Sequence, residues 1–130
     1  MHFTVEWHDR LTSTNVALRE RFLEDADLAG GLIIAAHEQT AGRGRQDRRW
    51  LGSPGKNLCF SLLVRSRAEP MALPSLTMAT ALAVTDMLVA NKIPAAPKWP
   101  NDVLVDGRKI CGILSERIEH PADPFEFQLR

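Results

Sequence analysis

The sequence predicts an α+β domain in which helices pack on a mixed or antiparallel β-sheet. Short continuous apolar runs alternate with segments of helical spacing, as in domains that combine strands and helices. An Asp-Gly pair between two apolar runs predicts an antiparallel hairpin, because such a turn needs positive φ angles. A chain of 130 residues with 45% hydrophobic side chains is long enough for one core. We therefore expect a single domain over residues 1–130.

The first half of the chain predicts one helix and two strands around a long loop. Residues 12–15 are polar groups typical of a helix start, and Gly30-Gly31 is expected to end that helix. Residues 32–36 and 58–64 are apolar runs typical of buried strands. Residues 38–57 carry glycines and arginines without apolar periodicity, and loops of this length are often functional.

The second half predicts a helix, a hairpin and a last strand. Helical spacing extends over residues 73–91, with Pro74 in the first turn. The hairpin joins residues 103–105 to residues 108–114 through Asp106-Gly107. Residues 125–129 alternate between apolar and polar side chains and predict the final strand.

Charge and composition exclude several classes of protein. Sixteen basic and sixteen acidic residues balance, which argues against a general nucleic-acid or membrane-surface binder. Residues 39–65 nevertheless hold six basic residues and one acidic residue, which predicts a site for one anionic ligand. No apolar run approaches the roughly 20 residues of a membrane span, and the charged N-terminus is unlike a signal peptide. We expect a cytoplasmic protein with no membrane partner, in which Cys59 and Cys111 are buried reduced thiols.

Familiar nucleotide and metal motifs do not fit the long loop. The run from Gly42 begins like the dinucleotide fingerprint GxGxxG but ends in Asp47. The Gly55-Lys56 pair resembles the end of a P-loop, yet Trp50 replaces the required glycine and Asn57 replaces the serine or threonine. Neither a zinc-protease HExxH motif nor a hydrolase GxSxG motif occurs.

Residues 41–50, here called the arginine loop, combine groups that suit an anionic ligand with a planar ring. Glycines let the backbone approach a ligand, arginines provide forked donors for phosphate or carboxylate, and Trp50 offers a stacking face. A solvated basic turn and a single-stranded RNA contact are the alternatives.

Two further polar groups each allow a structural and a functional interpretation. Lys98 lies at the end of a predicted strand that a proline stops, so it is either an exposed lysine or a mobile charge facing a phosphate. The run Ser13-Thr14-Asn15 is either a helix cap or a set of ligand contacts, and one helix start can serve both purposes.

Taken together and in order, these motifs resemble the catalytic domain of biotin protein ligases. The resemblance rests on Ser13-Thr14-Asn15, on the run from Glu38 to Arg45 with Arg48 and Trp50, on Asn57-Leu58, on Lys98-Trp99-Pro100-Asn101-Asp102, and on Gly112-Ile113-Leu114 with Glu116. It covers nearly the whole chain, and a GRGR loop followed at this distance by KWPND is specific. The RRxSGGG loop of the related lipoate ligases is absent. The resemblance implies a class II aminoacyl-tRNA synthetase-like fold.

The resemblance implies a two-step reaction that depends on ATP and forms no covalent enzyme intermediate. The biotin carboxylate attacks the α-phosphate of ATP to give biotinyl-5′-AMP, and a lysine of a carboxylase's biotin carboxyl carrier protein then takes the biotin. Mg²⁺ is expected to enter with the ATP phosphates, so no protein metal ligand is assigned.

The resemblance also assigns roles to residues of this chain. Lys98 would touch the biotin carboxylate and the α-phosphate, and with Arg43 and Arg45 it forms the implied catalytic set. The implied biotin-binding residues are Ser13, Thr14, Gln39, Gly42, Arg43, Gly112 and Leu114. The implied ATP- or adenylate-binding residues are Arg45, Arg48, Trp50, Asn57, Lys98, Asn101 and Asp102.

The chain departs from the family pattern in the loop and at its ends. Asp47 stands where many members have glycine, which puts a negative charge in the loop and removes a residue suited to positive φ. Weaker adenylate retention and a merely solvent-facing carboxylate are both consistent with this change. The family continues into a GxGxN segment and often an SH3-like β-barrel, so we expect a C-terminally incomplete catalytic domain. No helix-turn-helix precedes Ser13, so no DNA partner is expected.

Two points stay open in the sequence. A homodimer through the sheet edge is compatible with the predicted fold. The alternative function is a catalytically weak fragment that binds biotin or biotinyl-AMP.

Overall fold

The computed structural model describes residues 2–66, 70–121 and 127–129. The described helices and strands, in chain order, are β1 (Thr4–Leu11), α1 (Thr14–Glu24), β2 (Leu32–Gln39), β3 (Cys59–Val64), α2 (Leu73–Ala90), β4 (Ala95–Lys98), β5 (Asp102–Val105), β6 (Arg108–Gly112), β7 (Ser115–Arg117) and β8 (Phe127–Leu129). The chain divides into two compact units, Met1–Ala68 with Glu116–Arg130 and Glu69–Ser115. The single-domain assignment stays a prediction.

The first unit is a five-stranded mixed sheet in the order β1-β2-β3-β8-β7. Strands β1 and β2 run parallel, whereas β2, β3 and β8 pair antiparallel. Helix α1 covers the sheet because Leu18 and Phe22, one turn apart, are both fully buried against Ile34 and Leu63. The predicted mixed sheet with packed helices is therefore confirmed.

Two expectations for the first unit need correction. Helix α1 ends at Glu24, before Gly30-Gly31. Acidic residues at the end of α1 are repelled by the negative end of the helix dipole, which disfavours further helix. The Asp25 carboxylate also accepts the Asp27 N–H in a local turn that competes with the helix. Strand β1 was not predicted, because its charged side chains obscure the alternation of an edge strand.

The second unit is a three-stranded antiparallel sheet, β4-β5-β6, against which α2 packs. Its core is formed by Ala81, Val103 and Ile113. The hairpin prediction is confirmed, since Asp106 and Gly107 have φ angles of 49° and 73°. Strand β6 ends at Gly112, short of the predicted residue 114, because the Ile113 N–H donates to the Asn101 carbonyl oxygen instead.

Helix α2 confirms the predicted helix and its proline in the first turn. By length and composition alone it is apolar enough to cross a membrane, contrary to the expectation that no segment approaches a span. Threonines and Asp86 interrupt the apolar residues of α2, so the sequence shows no continuous apolar run there. The mean hydropathy of the helix is nevertheless 1.5. Core helices of proteins outside membranes have the same length and composition.

The outcomes for the remaining strands are mixed. The two predicted strands of the first half correspond to β2 and β3, although Leu58 lies outside β3 and is exposed. Of the predicted last strand, β8 comprises Phe127–Leu129, and Phe125 lies outside the described residues.

Candidate functional site

The start of α1 lies in the interior of the first unit. Ser13, Thr14 and Asn15 are each at most 3% exposed, although all three are polar. Ser13 occupies the cap position, but its side chain makes no capping hydrogen bond. Its hydroxyl oxygen is buried without a hydrogen-bond partner among the described residues. Since buried hydroxyls are normally paired, the unmet hydrogen bond favours a ligand contact over a simple cap.

Gln39, the last residue of β2, joins Thr14. Its Oε1 accepts the Thr14 backbone N–H at 2.8 Å and lies 3.0 Å from the Thr14 hydroxyl. Burial raises the pKa of the neighbouring Cys59 thiol, and the polar side chain of Gln39 opposes this shift only in part. The structure therefore brings together Ser13, Thr14 and Gln39, three residues that the sequence predicted for one ligand.

A buried hydrogen-bond chain continues from Thr14. Its hydroxyl lies 2.8 Å from Ser61 Oγ, and Ser61 donates to Asn15 Oδ1 at 2.6 Å. Asn15 Nδ2 then donates to Glu116 Oε2 at 2.7 Å. The sequence analysis did not single out Ser61, and it named Asn15 and Glu116 as motif residues without assigning them to this contact. A signal for Ser61 was present, since it is the one polar residue within the apolar run of residues 58–64.

The arginine loop folds back on itself beside Gln39. The Trp50 N–H donates to the Gly42 carbonyl oxygen at 2.8 Å, and Arg43 forms an isolated β-bridge with Arg49. Gly42 is buried so closely that a Cβ there would lie 2.7 Å from the Trp50 carbonyl oxygen and 3.3 Å from Gln39 Nε2. A glycine is therefore required where the loop approaches the predicted ligand contacts.

At the tip of the loop, Gln46 and Asp47 have φ angles of 56° and 55°. The expectation that aspartate removes the positive-φ conformation is therefore wrong, since Asp47 itself adopts it. Aspartate tolerates the left-handed region better than most residues because its short polar side chain bonds locally. Asp47 is exposed, as are Arg43, Arg45 and Arg48, which agrees with the solvent-facing alternative.

Trp50 and Asn57 line one cleft together with Gln39 and Cys59. Trp50 is half-buried, and Asn57 is exposed, with its Nδ2 donating to the Ser53 carbonyl oxygen at 3.0 Å. The structure thus places two of the predicted adenylate residues beside one predicted biotin residue.

The remaining predicted residues lie in the second unit. Lys98 is the exposed last residue of β4, as predicted, and pairs in register with Asp102. Asp102 Oδ1 forms an ion pair of 2.8 Å with Lys109, and Asn101 Nδ2 donates to the Ile113 carbonyl oxygen at 3.0 Å. Asn101 and Asp102 thus have structural partners, and their role toward ATP stays a prediction.

Gly112 and Leu114 flank Ile113 in the same unit. Gly112 pairs in register with Asp102, and Leu114 is half-buried just beyond β6. Their assignment to the biotin slot also stays a prediction.

Within the described ranges, no group of three or more histidine, cysteine, aspartate or glutamate side chains could hold a metal ion.

The sequence matches the model of the biotin/lipoate A/B protein ligase family over residues 7–123. It is 38% identical over 111 residues to the bifunctional ligase/repressor BirA of Bacillus subtilis, covering 85% of this chain and 34% of that protein. It is 44% identical over 110 residues to the biotin–[acetyl-CoA-carboxylase] ligase of Mycobacterium tuberculosis, covering 80% and 41%.

Solved structures of biotin protein ligases are similar to this chain as well. The biotin protein ligase of Aquifex aeolicus in complex with biotin and ATP superposes with a TM-score of 0.75 at 30% identity. The alignment covers 96% of this chain and 49% of that one. The ligase of Leishmania major in complex with biotin gives a TM-score of 0.76 at 26% identity, covering 96% and 54%. The chain thus spans about half of these structures and less than half of the two curated relatives.

Proposed function

The chain belongs to the biotin/lipoate A/B protein ligase family, and we propose that it is an ATP-dependent biotin protein ligase. The proposed reaction joins biotin and ATP into biotinyl-5′-AMP and then transfers biotin to a lysine of a biotin carboxyl carrier protein. The relatives include proteins named biotin–[acetyl-CoA-carboxylase] ligase, which supports a carboxylase carrier as the partner.

The observation that carries the proposal is the group of polar side chains at the start of α1, where Ser13 and Thr14 are buried and Thr14 is hydrogen-bonded to Gln39. A ureido ring needs donors and acceptors inside an otherwise apolar site, and this group supplies them. The Ser13 hydroxyl has an unmet hydrogen bond, and the Thr14 and Gln39 groups are fixed by mutual bonds. Aquifex aeolicus and Leishmania major ligases of the same fold were solved with biotin.

In the proposed first step, a biotin carboxylate oxygen forms a bond to the α-phosphorus and pyrophosphate leaves. Both reactants are anions, so the step needs positive charge around the reacting centre. We propose that Arg43, Arg45 and Lys98 supply it, and that Mg²⁺ bound to the ATP phosphates adds to it. In the second step, the carrier lysine nitrogen forms an amide with biotin and AMP leaves.

The test is biotin-dependent exchange of labelled pyrophosphate into ATP by the purified chain. Lys98→Ala should abolish exchange while biotin affinity is broadly retained. Lys92→Asn is the matched control, because it removes another exposed lysine charge at a position whose φ of 62° asparagine tolerates. Exchange at the unaltered rate in Lys98→Ala would refute the role of that lysine.

A second candidate function is capture of biotin or biotinyl-AMP without turnover. It would need only the ligand contacts around Thr14 and Gln39, which mutual hydrogen bonds hold in place. Calorimetric biotin binding without any pyrophosphate exchange would select this function. Binding to an RNA homopolymer with steep salt dependence would instead favour the nucleic-acid alternative.

We further propose that the protein acts in the cytoplasm. A homodimer through the outer edge of β1 is compatible with the order of the five-stranded sheet, in which β1 is terminal. Analytical ultracentrifugation tests the dimer.

A further inference from the structure

Thr14, Ser61, Asn15 and Glu116 form a chain of hydrogen bonds, here called the polar cluster. Which group donates and which accepts in each bond, the direction of the chain, follows from the chemical groups that meet. The Glu116 carboxylate accepts hydrogen bonds, so the Asn15 atom 2.7 Å from it must be the amide nitrogen. The other Asn15 atom, the oxygen, then lies 2.6 Å from Ser61 Oγ and must accept the Ser61 proton. The direction of the chain is thus set at its Glu116 end.

This direction determines what the Thr14 hydroxyl can do. Ser61 has one proton and gives it to Asn15, so toward Thr14 it can only accept, at 2.8 Å. Gln39 Oε1, 3.0 Å from Thr14 Oγ1, is also an acceptor, because it already receives the Thr14 backbone N–H. Both neighbours therefore compete for the one Thr14 proton, and neither donates to its oxygen.

The Thr14 hydroxyl, within these contacts, is short of hydrogen-bond donors. Two acceptors face one Thr14 proton, and neither of these two contacts brings a protein donor to the lone pairs of Thr14 Oγ1. Thr14 is 3% and Ser61 0% exposed, so water has little access to supply the missing donors. A ligand that brings an N–H group completes the cluster, whereas a ligand oxygen at the same position meets acceptors.

We propose that Glu116, Asn15 and Ser61 are positioning residues that hold Thr14 as an acceptor and thereby select a ligand N–H at this position. The inference rests on the proposed function and deepens it, because the biotin ureido ring carries two N–H groups. Glu116 acts through Asn15 and Ser61 and does not touch the ligand in this role.

Glu116→Gln removes the carboxylate that fixes the direction of the hydrogen bonds and keeps the size of the side chain. The new amide at position 116 can donate to Asn15, which then turns its own nitrogen toward Ser61, so that Ser61 donates to Thr14. The Thr14 hydroxyl would then gain a protein donor and could give its own proton to a ligand oxygen. Adding Asn15→Asp restores an acceptor facing Ser61, while the amide at position 116 donates to the new carboxylate. The double variant should therefore recover the original direction.

The experiment measures binding by calorimetry to the whole chain. The probes are biotin and its two cyclic carbamate analogues, in which one ureido N–H at a time is replaced by oxygen. For at least one analogue, the unaltered chain should bind biotin about 30-fold or more tightly than the analogue. The ring oxygen of that analogue would face the Thr14 oxygen, and two acceptors that face each other both stay without a donor. In Glu116→Gln this preference should fall by about tenfold, and in the double variant it should return.

Glu119→Gln is the matched control. It removes a carboxylate that pairs with Arg117 on the surface and lies outside the chain of hydrogen bonds, so the preference should stay at the unaltered value. Equal loss of affinity for biotin and both carbamates in Glu116→Gln, with the preference unchanged, would overturn the positioning role alone. No biotin binding by the unaltered chain would overturn the proposed function as well.

Discussion

Replacing Gly42 by alanine tests whether the arginine loop and the polar cluster form one binding site. The added Cβ would lie 2.7 Å from the Trp50 carbonyl oxygen, and ordinary contact begins at 3.4 Å, so the backbone must move by about 0.7 Å. The obstacle is main chain, which cannot rotate away as a side chain end would. The same Cβ would lie 3.3 Å from Nε2 of Gln39, the side chain whose Oε1 is hydrogen-bonded to Thr14.

The magnitude follows from two costs. Overpacking of this kind costs about 1–3 kcal/mol, and the 2.8 Å bond from the Trp50 N–H to the Gly42 carbonyl is worth about 1 kcal/mol if it is lost. If the loop relieves the clash by opening, biotin binding must reverse that opening and should weaken about tenfold or more. Titration calorimetry with biotin measures the affinity, and urea unfolding measures the stability.

Gly44→Ala is the control for this prediction. Its Cβ would meet the Arg48 carbonyl oxygen at 3.3 Å, a contact that a shift of about 0.1 Å relieves. Its φ of −116° is accessible to alanine. We expect Gly44→Ala to bind biotin nearly as the unaltered chain does. Equal affinities in the two alanine variants would refute the reasoning from close approach.

Three further outcomes follow from the loop, the thiols and the exposed charges. Asp47→Gly should leave biotin affinity unchanged, whereas Asp47→Val should lower Tm by a few degrees, because a β-branched residue at a φ of 55° is strained; an unchanged Tm for valine would contradict that backbone angle. The free energy of unfolding should fall as pH rises above 9.0, because burial raises the pKa of Cys59 and of Cys111 and the folded chain keeps thiol protons that the unfolded chain loses. Urea unfolding at several pH values checks this, and the slope should flatten when both cysteines become alanine. Affinity for ATP should fall between about 0.05 and 0.5 M salt more steeply than affinity for biotin amide, which lacks the carboxylate, because the loop arginines are exposed; parallel slopes in titration calorimetry would contradict the assignment of the arginines to phosphate.

Sequence patterns predicted the elements in which one signal dominates. The Asp106-Gly107 turn and the proline-started helix α2 depend on local backbone preferences, and both were confirmed. Strand β1 was missed because its pairing partner, β2, lies more than 20 residues away, and its own side chains are mostly charged or exposed. The end of α1 was predicted at Gly30-Gly31, but acidic residues end the helix earlier, at Glu24.

In the candidate site, too, some contacts were predicted from the sequence and others were not. Thr14 and Gln39 were predicted as ligand contacts by resemblance, and the structure brings them together. Ser61 and Glu116 contribute through partners 46 and 101 residues distant, Asn15 in both cases, and spacing along the chain carries no such information. Proton direction in the cluster also depends on which atoms meet, so it follows only from the folded contacts.

The groups predicted for biotin and those predicted for phosphate differ in how the fold holds them. Thr14 is buried and Gln39 is half-buried, and hydrogen bonds between these two neutral residues fix them before any ligand arrives. Arg43, Arg45 and Lys98 are exposed, because a cation buried without its anion would be costly. The fold can therefore preorganise the neutral contacts proposed for biotin, whereas ordering of the exposed cations would depend on the anions proposed as their ligands. Substitutions in the buried cluster should accordingly alter which ligand binds, and substitutions of the exposed cations should alter how fast it reacts.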